Sequence, residues 1–146
     1  MSGKVTMIAR GAEPAERAPL PIDSAAWGRT YSLAREALQD ERVDDAHPVF
    51  ADLAQAAPLE PRFHFGLGLC LQHSGEINAA HRCYAIAFML DPSDAACAYR
   101  IGECLIALGD LPAAREGLHT ALALCAVPGT DAALRALVEA QLDQLA

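Results

Sequence analysis

PRFHFGLGLCLQHSGEINAAHRCYAIAFMLDPSD, residues 61–94, decides how the whole chain is read. In its first half small and apolar residues recur at helical spacing: Phe65, Gly68, Leu69 and Gln72 fall on one side, Leu67 and Leu71 on another. Ser74-Gly75-Glu76 breaks that pattern, and glycine enters the left-handed conformation that ends a helix without a Cβ clash. A second helical run carries Ala80, Tyr84, Ala87 and Phe88 before Asp91-Pro92 closes it. The stretch is one helix–turn–helix hairpin.

The hairpin recurs. A shift of 34 residues carries Ala80 to Ala46 and Ala114, Leu67 to Leu33 and Ile101, and Gly68 to Ala34 and Gly102. The same shift carries Tyr84 to Phe50 and Leu118, and Pro92 back to Pro58. Small residues stand where the two helices of a hairpin cross, because a larger side chain would hold the backbones apart. Helix pairs at this period are the tetratricopeptide (TPR) pattern. The expected fold is all-α: a TPR solenoid of three helix–turn–helix repeats, 27–60, 61–94 and 95–128, with a C-terminal capping helix at about 131–145. These form a TPR domain over 24–146, preceded by a flexible N-terminal arm, 1–23, with Pro14, Pro19 and Pro21. Within the arm, Met7-Ile8 is a candidate docking segment.

The repeats differ in ways that matter locally. Glu41 stands where Gly75 and Gly109 mark the other two turns, so the first turn lacks its easy glycine. Pro48 falls inside the second helix, where it removes a backbone donor, and a late helix start or a kink near His47 is expected. Pro112 sits in the first turn of its helix, where proline is tolerated. After Pro128-Gly129, Leu134, Leu137, Val138, Leu142 and Leu145 share one face of a last helix that has left the repeat register. Such a helix caps a solenoid.

The composition of the 146 residues is globular, with 53% hydrophobic and 21% charged residues. A net charge of −8, from 11 basic and 19 acidic residues, argues against nucleic acid as partner, since phosphate binding needs a basic face. Five cysteines form no CxxC pair and leave an odd number, so they are expected to be reduced and packed between helices, in a reducing compartment. No stretch is apolar and uninterrupted enough for a membrane span or a signal core, and the expected location is the bacterial cytoplasm.

Little in the sequence looks catalytic. It holds no GxSxG, no HExxH and no phosphate-binding GxxxxGK[ST], so no enzyme is expected. Gly66 and Gly68 begin a dinucleotide-type fingerprint but lie in a helix with no strand before it. His64, Cys70, His73 and His81 gather in the central repeat; Cys70 and His73 could share a metal on one helix, yet no second ligand pair matches them. Packing or surface roles are the simpler reading, and no cofactor is expected. An enzyme subunit or metal protein built on these residues remains a rival.

The first helix of each repeat is more informative, because its positions 2, 5, 9 and 12 line the inner groove of a TPR stack. They read Gly28, Tyr31, Arg35 and Leu38; then Arg62, Phe65, Leu69 and Gln72; then Ala96, Tyr99, Glu103 and Ile106. Position 5 is thus aromatic in every repeat: Tyr31, Phe65 and Tyr99. Core aromatics are the bland alternative, but Arg35, Arg62 and His73 beside them would be wasted in a core. Aromatics offer large contact area and arginines orient carbonyls or carboxylates, so the groove suits an extended peptide.

The stretches YSLAREALQDERVDDAHPVF, PRFHFGLGLCLQHSGEINAAHRCYAIAFMLD and GECLIALGDLPAAREGL then identify a narrower likeness. Over residues 27–125 the chain resembles the class II, TPR-type chaperones of bacterial type III secretion systems, which serve the pore-forming translocator proteins. The specific marks are YSLA followed by DDAHxVF, RFxFGLGxC, and the xECLxxLG of the third repeat. The resemblance implies an ATP-independent cytoplasmic chaperone that holds an extended N-terminal segment of a hydrophobic translocator in its concave groove. It implies that Tyr31, Leu38, Phe65, Leu69 and Tyr99 line anchor pockets, and that a homodimer forms through the N-terminal region. A general TPR scaffold joining components of a secretion or pilus assembly is the alternative function.

Overall fold

The computed structural model describes residues 24–146; the flexible arm expected at 1–23 and its Met7-Ile8 docking segment lie outside the described residues. Among the described residues there are seven helices and no strand: α1 Ser24–Gln39, α2 Val43–Ala56, α3 Pro61–His73, α4 Ile77–Leu90, α5 Ala95–Ala107, α6 Leu111–Leu124 and α7 Ala132–Leu145. Each helix packs on the next in chain order, and α1 also touches α3. This is the expected all-α TPR solenoid.

Three turns, one per hairpin, close with the same two backbone hydrogen bonds. Arg42 N–H donates to Ala37 O at 2.7 Å and Glu41 N–H to Leu38 O at 3.0 Å. Glu76 to Leu71 with Gly75 to Gln72, and Asp110 to Leu105 with Gly109 to Ile106, repeat the pair one period later each time. This double bond needs a left-handed residue just past the helix. Gly75 and Gly109 supply it at φ 83° and 85°, whereas Glu41 is forced to φ 61°, the only non-glycine residue with positive φ among those described.

The core is strung along the solenoid in three clusters. Phe50, Leu53, Phe63 and Cys70 centre the first, Tyr84, Ala87, Cys97 and Cys104 the middle one, and Tyr99, Leu118, Ala121 and Val138 the last. The crossing glycines are demanded by contact. A Cβ on Gly68 would lie 2.6 Å from the Tyr84 ring and one on Gly102 would lie 2.8 Å from Leu118, while one on Gly66 would run into the Phe50 ring. Gly66 and Gly68, the fingerprint-like pair, therefore serve close helix packing.

Two local expectations are corrected. Of the late start or kink expected near His47, the late start does not occur: α2 begins at Val43 and runs through Pro48. Proline at its sixth residue forfeits one backbone bond, and burial of Val43, Ala46 and Phe50 on the same helix outweighs that loss. On α7, Val138 is buried and Leu134, Leu142 and Leu145 pack beside it, but Leu137 is 51% exposed and does not share their face.

Cys70, Cys97, Cys104 and Cys125 are buried, and Cys83 is half-buried. Burial pushes the Cys70 and Cys104 thiols up to about 11 and Cys97 up to about 12, so these are inert packing groups. The Cys97 thiol also donates to Tyr84 O at 3.1 Å.

Candidate functional site

Most of the residues expected to line the groove fall on two depressions that share the faces of α1 and α3. The first, about 260 Å³, is lined by Tyr31 and Arg35 of α1, Arg62 and Phe65 of α3, and Asp94 and Ala96 at the start of α5. The second, about 330 Å³, is lined by Leu38 of α1, Leu69, Gln72 and His73 of α3, Glu41 and Val43 of the first turn, and Arg100 of α5. On α1 the sequence 31, 35, 38 and on α3 the sequence 62, 65, 69, 72 step by three or four residues, so one face of each helix lines both depressions. Both lie along these two helix faces, which form the candidate trough.

At the first end Tyr31 is half-buried in an aromatic nest. Its ring centroid lies 6.0 Å from Phe50 in an edge-on contact and 5.7 Å from Phe63. The Arg62 guanidinium sits 4.8 Å from the Tyr31 ring centroid and Arg35 lies 5.8 Å from it. Cations over an aromatic face are attracted by its quadrupole, which holds both arginines at the trough. Arg62 also pairs with Glu60 at 3.3 Å. Phe65, half-buried, rests 5.4 Å from the Tyr84 ring.

Between the two ends and α5 runs a polar chain. The Tyr84 hydroxyl donates to Gln72 Oε1 at 2.7 Å, Gln72 Nε2 donates to Glu103 Oε1 at 3.2 Å, and Arg100 reaches the same oxygen at 3.0 Å. Burial raises the pKa of the Tyr84 hydroxyl, which stays a neutral donor. The chain fixes Gln72 and ties α3, α4 and α5 together beneath the trough.

The third repeat departs from the expectation of an aromatic open to the groove. Tyr99 is only 6% exposed and belongs to the C-terminal core with Leu118 and Val138. Burial raises its hydroxyl pKa, and its neighbours Glu103 and Gln141 show that α7 reaches over it. Glu103 is occupied by Arg100 and Gln72, and Ile106 packs against the same C-terminal cluster. Of the expected groove residues, Tyr31, Arg35, Leu38, Arg62, Phe65, Leu69, Gln72 and His73 thus come together, while Tyr99, Glu103 and Ile106 are engaged within the fold. Sequence reasoning missed Glu41, Val43 and Arg100, which line the second end. The departure from glycine at position 41 was the available signal for Glu41; Arg100 had none.

Cys70 and His73 do not share a site, since Cys70 is fully buried and His73 is exposed. Among the described residues no three His, Cys, Asp or Glu side chains converge as metal ligands, and no helix is long and apolar enough to cross a membrane.

A tetratricopeptide repeat family model matches residues 31–77 and again 71–126. Low calcium response locus protein H of Yersinia pestis is 33% identical over 105 residues, which are 72% of this chain and 62% of that relative's length. The structure of the Yersinia enterocolitica type III secretion translocator chaperone SycD is similar with a TM-score of 0.81 at 30% identity, covering 86% of each chain. SycD in complex with a peptide of the translocator YopD gives 0.80 at 31%, over 85% of this chain and 95% of that one. PcrH from Pseudomonas aeruginosa gives 0.79 at 28%, over 84% of this chain and 93% of PcrH. The chain belongs to the tetratricopeptide repeat family and, within it, to the class II chaperones of type III secretion translocators.

Proposed function

We propose that this chain keeps a hydrophobic translocator soluble and secretion-competent by holding an extended N-terminal segment of it in the trough on α1 and α3. The observation that carries this reading is the pairing of half-buried Tyr31 and Phe65 with Leu38 and Leu69 along one trough, flanked by Arg35 and Arg62. An apolar client side chain buried there contributes about 1.5–3 kcal/mol, and the flanking arginines can orient the client's carbonyls. Repeated anchors of that size suffice for a segment that must later be released. The complex of SycD with a peptide of the translocator YopD supports a translocator segment as the client.

The reading takes the chain as a non-enzymatic protein of the bacterial cytoplasm. It takes residues 24–146 as the TPR domain, with repeats at 27–60, 61–94 and 95–128, and a homodimer through the N-terminal region. Eight groove residues contact the client directly; Tyr99, Glu103 and Ile106 support the trough from the C-terminal side.

Co-expression with the translocators of the source organism tests this, with Phe65→Ala and Tyr31→Ala as paired variants and circular dichroism as the control. A membrane-inserting translocator should co-purify with the parent chain and weaken at least tenfold in both variants, at unchanged helicity. Retention that survives both substitutions would move the site away from the trough. Retention of folded soluble proteins alone would favour the scaffold function.

A further inference from the structure

The first hairpin turn reaches the same hydrogen-bond geometry as the other two with a far less suitable residue. Glu41 holds φ 61° where Gly75 and Gly109 hold 83° and 85°. A Cβ in this region crowds the following carbonyl oxygen, so glycine is free there and glutamate is not. Strained residues persist where the surroundings fix them, and they gather at ligand clamps.

The Glu41 side chain does not hold the turn. Arg42 takes the acids on either side, Asp45 at 3.1 Å and Asp40 at 3.3 Å, and Glu41 has no ion pair among the described residues. Its side chain lines the second end of the trough instead. There the apolar floor is Leu38, Val43 and Leu69; of the other polar lining groups, Gln72 and Arg100 are already bonded to Glu103, and His73 is exposed with no ion pair to Glu41. An unpaired carboxylate beside an apolar floor is complementary to a cation next to an apolar side chain.

We propose that Glu41 determines specificity at this end of the trough, selecting client segments in which a lysine or arginine adjoins the apolar side chain seated on Leu38, Val43 and Leu69. The inference rests on the client-binding reading above and names the client's chemistry at one position. A carboxylate accepts a charge-assisted hydrogen bond from the client's cation, and it repels an acidic client residue placed there.

The test is a positional scan by fluorescence anisotropy with the full chain. A labelled YopD peptide is varied one position at a time to Lys, Gln and Glu. At one position the parent chain should bind the Lys form roughly threefold to fivefold more tightly than the Gln form, with the Glu form weaker still. Raised salt should shrink that preference. Glu41→Gln keeps the side chain's length and removes its charge, and it should abolish the preference; Glu41→Gly should do the same in a more stable fold. A preference that persists in Glu41→Gln, or a scan in which no position favours Lys, overturns the inference. A peptide that binds the parent chain and Phe65→Ala equally well in all its forms would instead overturn the trough as the client site, and this inference with it.

Discussion

The amino half of the solenoid, α1–α4, and the carboxyl half, α5–α7, are built from the same period but secured differently. The helices α2, α3 and α4 follow Arg42, Glu60 and Glu76, none of which makes a side-chain capping bond. The helices α5, α6 and α7 follow Asp94, Asp110 and Asp131, whose carboxylates accept from the backbone N–H groups of Cys97, Ala113 and Ala133. The amino half also carries the strained Glu41 and the proline inside α2. Its trough is open, whereas in the carboxyl half the corresponding aromatic, Tyr99, is buried. Local stabilisation is concentrated where the surface is closed, and the half that carries the open trough is secured chiefly by its core.

The largest test of this contrast is Phe50→Ala. Phe50 is fully buried at the centre of the amino core, against Tyr31 and above Gly66. Its loss should cost about 3–5 kcal/mol in urea unfolding. Hydrogen exchange should accelerate first in α1–α4, and equal acceleration in α5–α7 would mean that the two halves unfold as one. Alkaline pH comes next. Unfolded thiols ionise near 9.0, while burial holds Cys70 and Cys104 to about 11 and Cys97 to about 12. The folded state therefore binds more protons above pH 9, and stability falls as pH rises, by about 1 kcal/mol per thiol at pH 10. With two of these thiols on α5 and one on α3, Cys104→Ala and Cys97→Ala together should remove more of the alkaline loss than Cys70→Ala.

Asp94→Ala should cost about 1 kcal/mol by thermal unfolding, because it removes the cap on α5. Glu60→Ala, at the matching position before α3, should cost far less, since Glu60 makes no capping bond. Equal costs would erase the contrast. The smallest effect is a gain: Glu41→Gly should raise stability by about 0.5–1 kcal/mol, since it removes the Cβ clash but loosens the unfolded chain.

What could be read from the chain follows the range of the interactions involved. The period, the hairpin turns and the crossing positions are set by residues within one repeat, so a shift of 34 residues exposed them. The faces of α1 and α3 are equally local, and Tyr31, Arg35, Arg62 and Phe65 line one depression. Tyr99 was misread as open because its burial depends on where α7 comes to rest, a contact between residues about forty positions apart that no periodicity encodes. The exposure of Leu137 has the same origin, since several apolar faces were available to α7 and packing on α6 selected one. Pro48 misled in the opposite direction: a local rule against proline was outweighed by burial of the residues around it. The polar chain from Tyr84 to Arg100 joins three helices and left no trace in the spacing.

The crossing glycines carry a consequence for how such a chain can change over generations. Gly68 with Tyr84, Gly102 with Leu118 and Gly66 with Phe50 are steric couples in which a single added carbon meets a ring or a branched side chain. Enlarging one member is open only to a lineage that first shrinks the other, and that first step leaves a void. A library randomised at the glycines alone should return glycine, whereas one randomised at both members should return inverted pairs, small where the ring now stands. Sequence drift in this solenoid is thus expected to proceed by paired exchanges along its helix crossings.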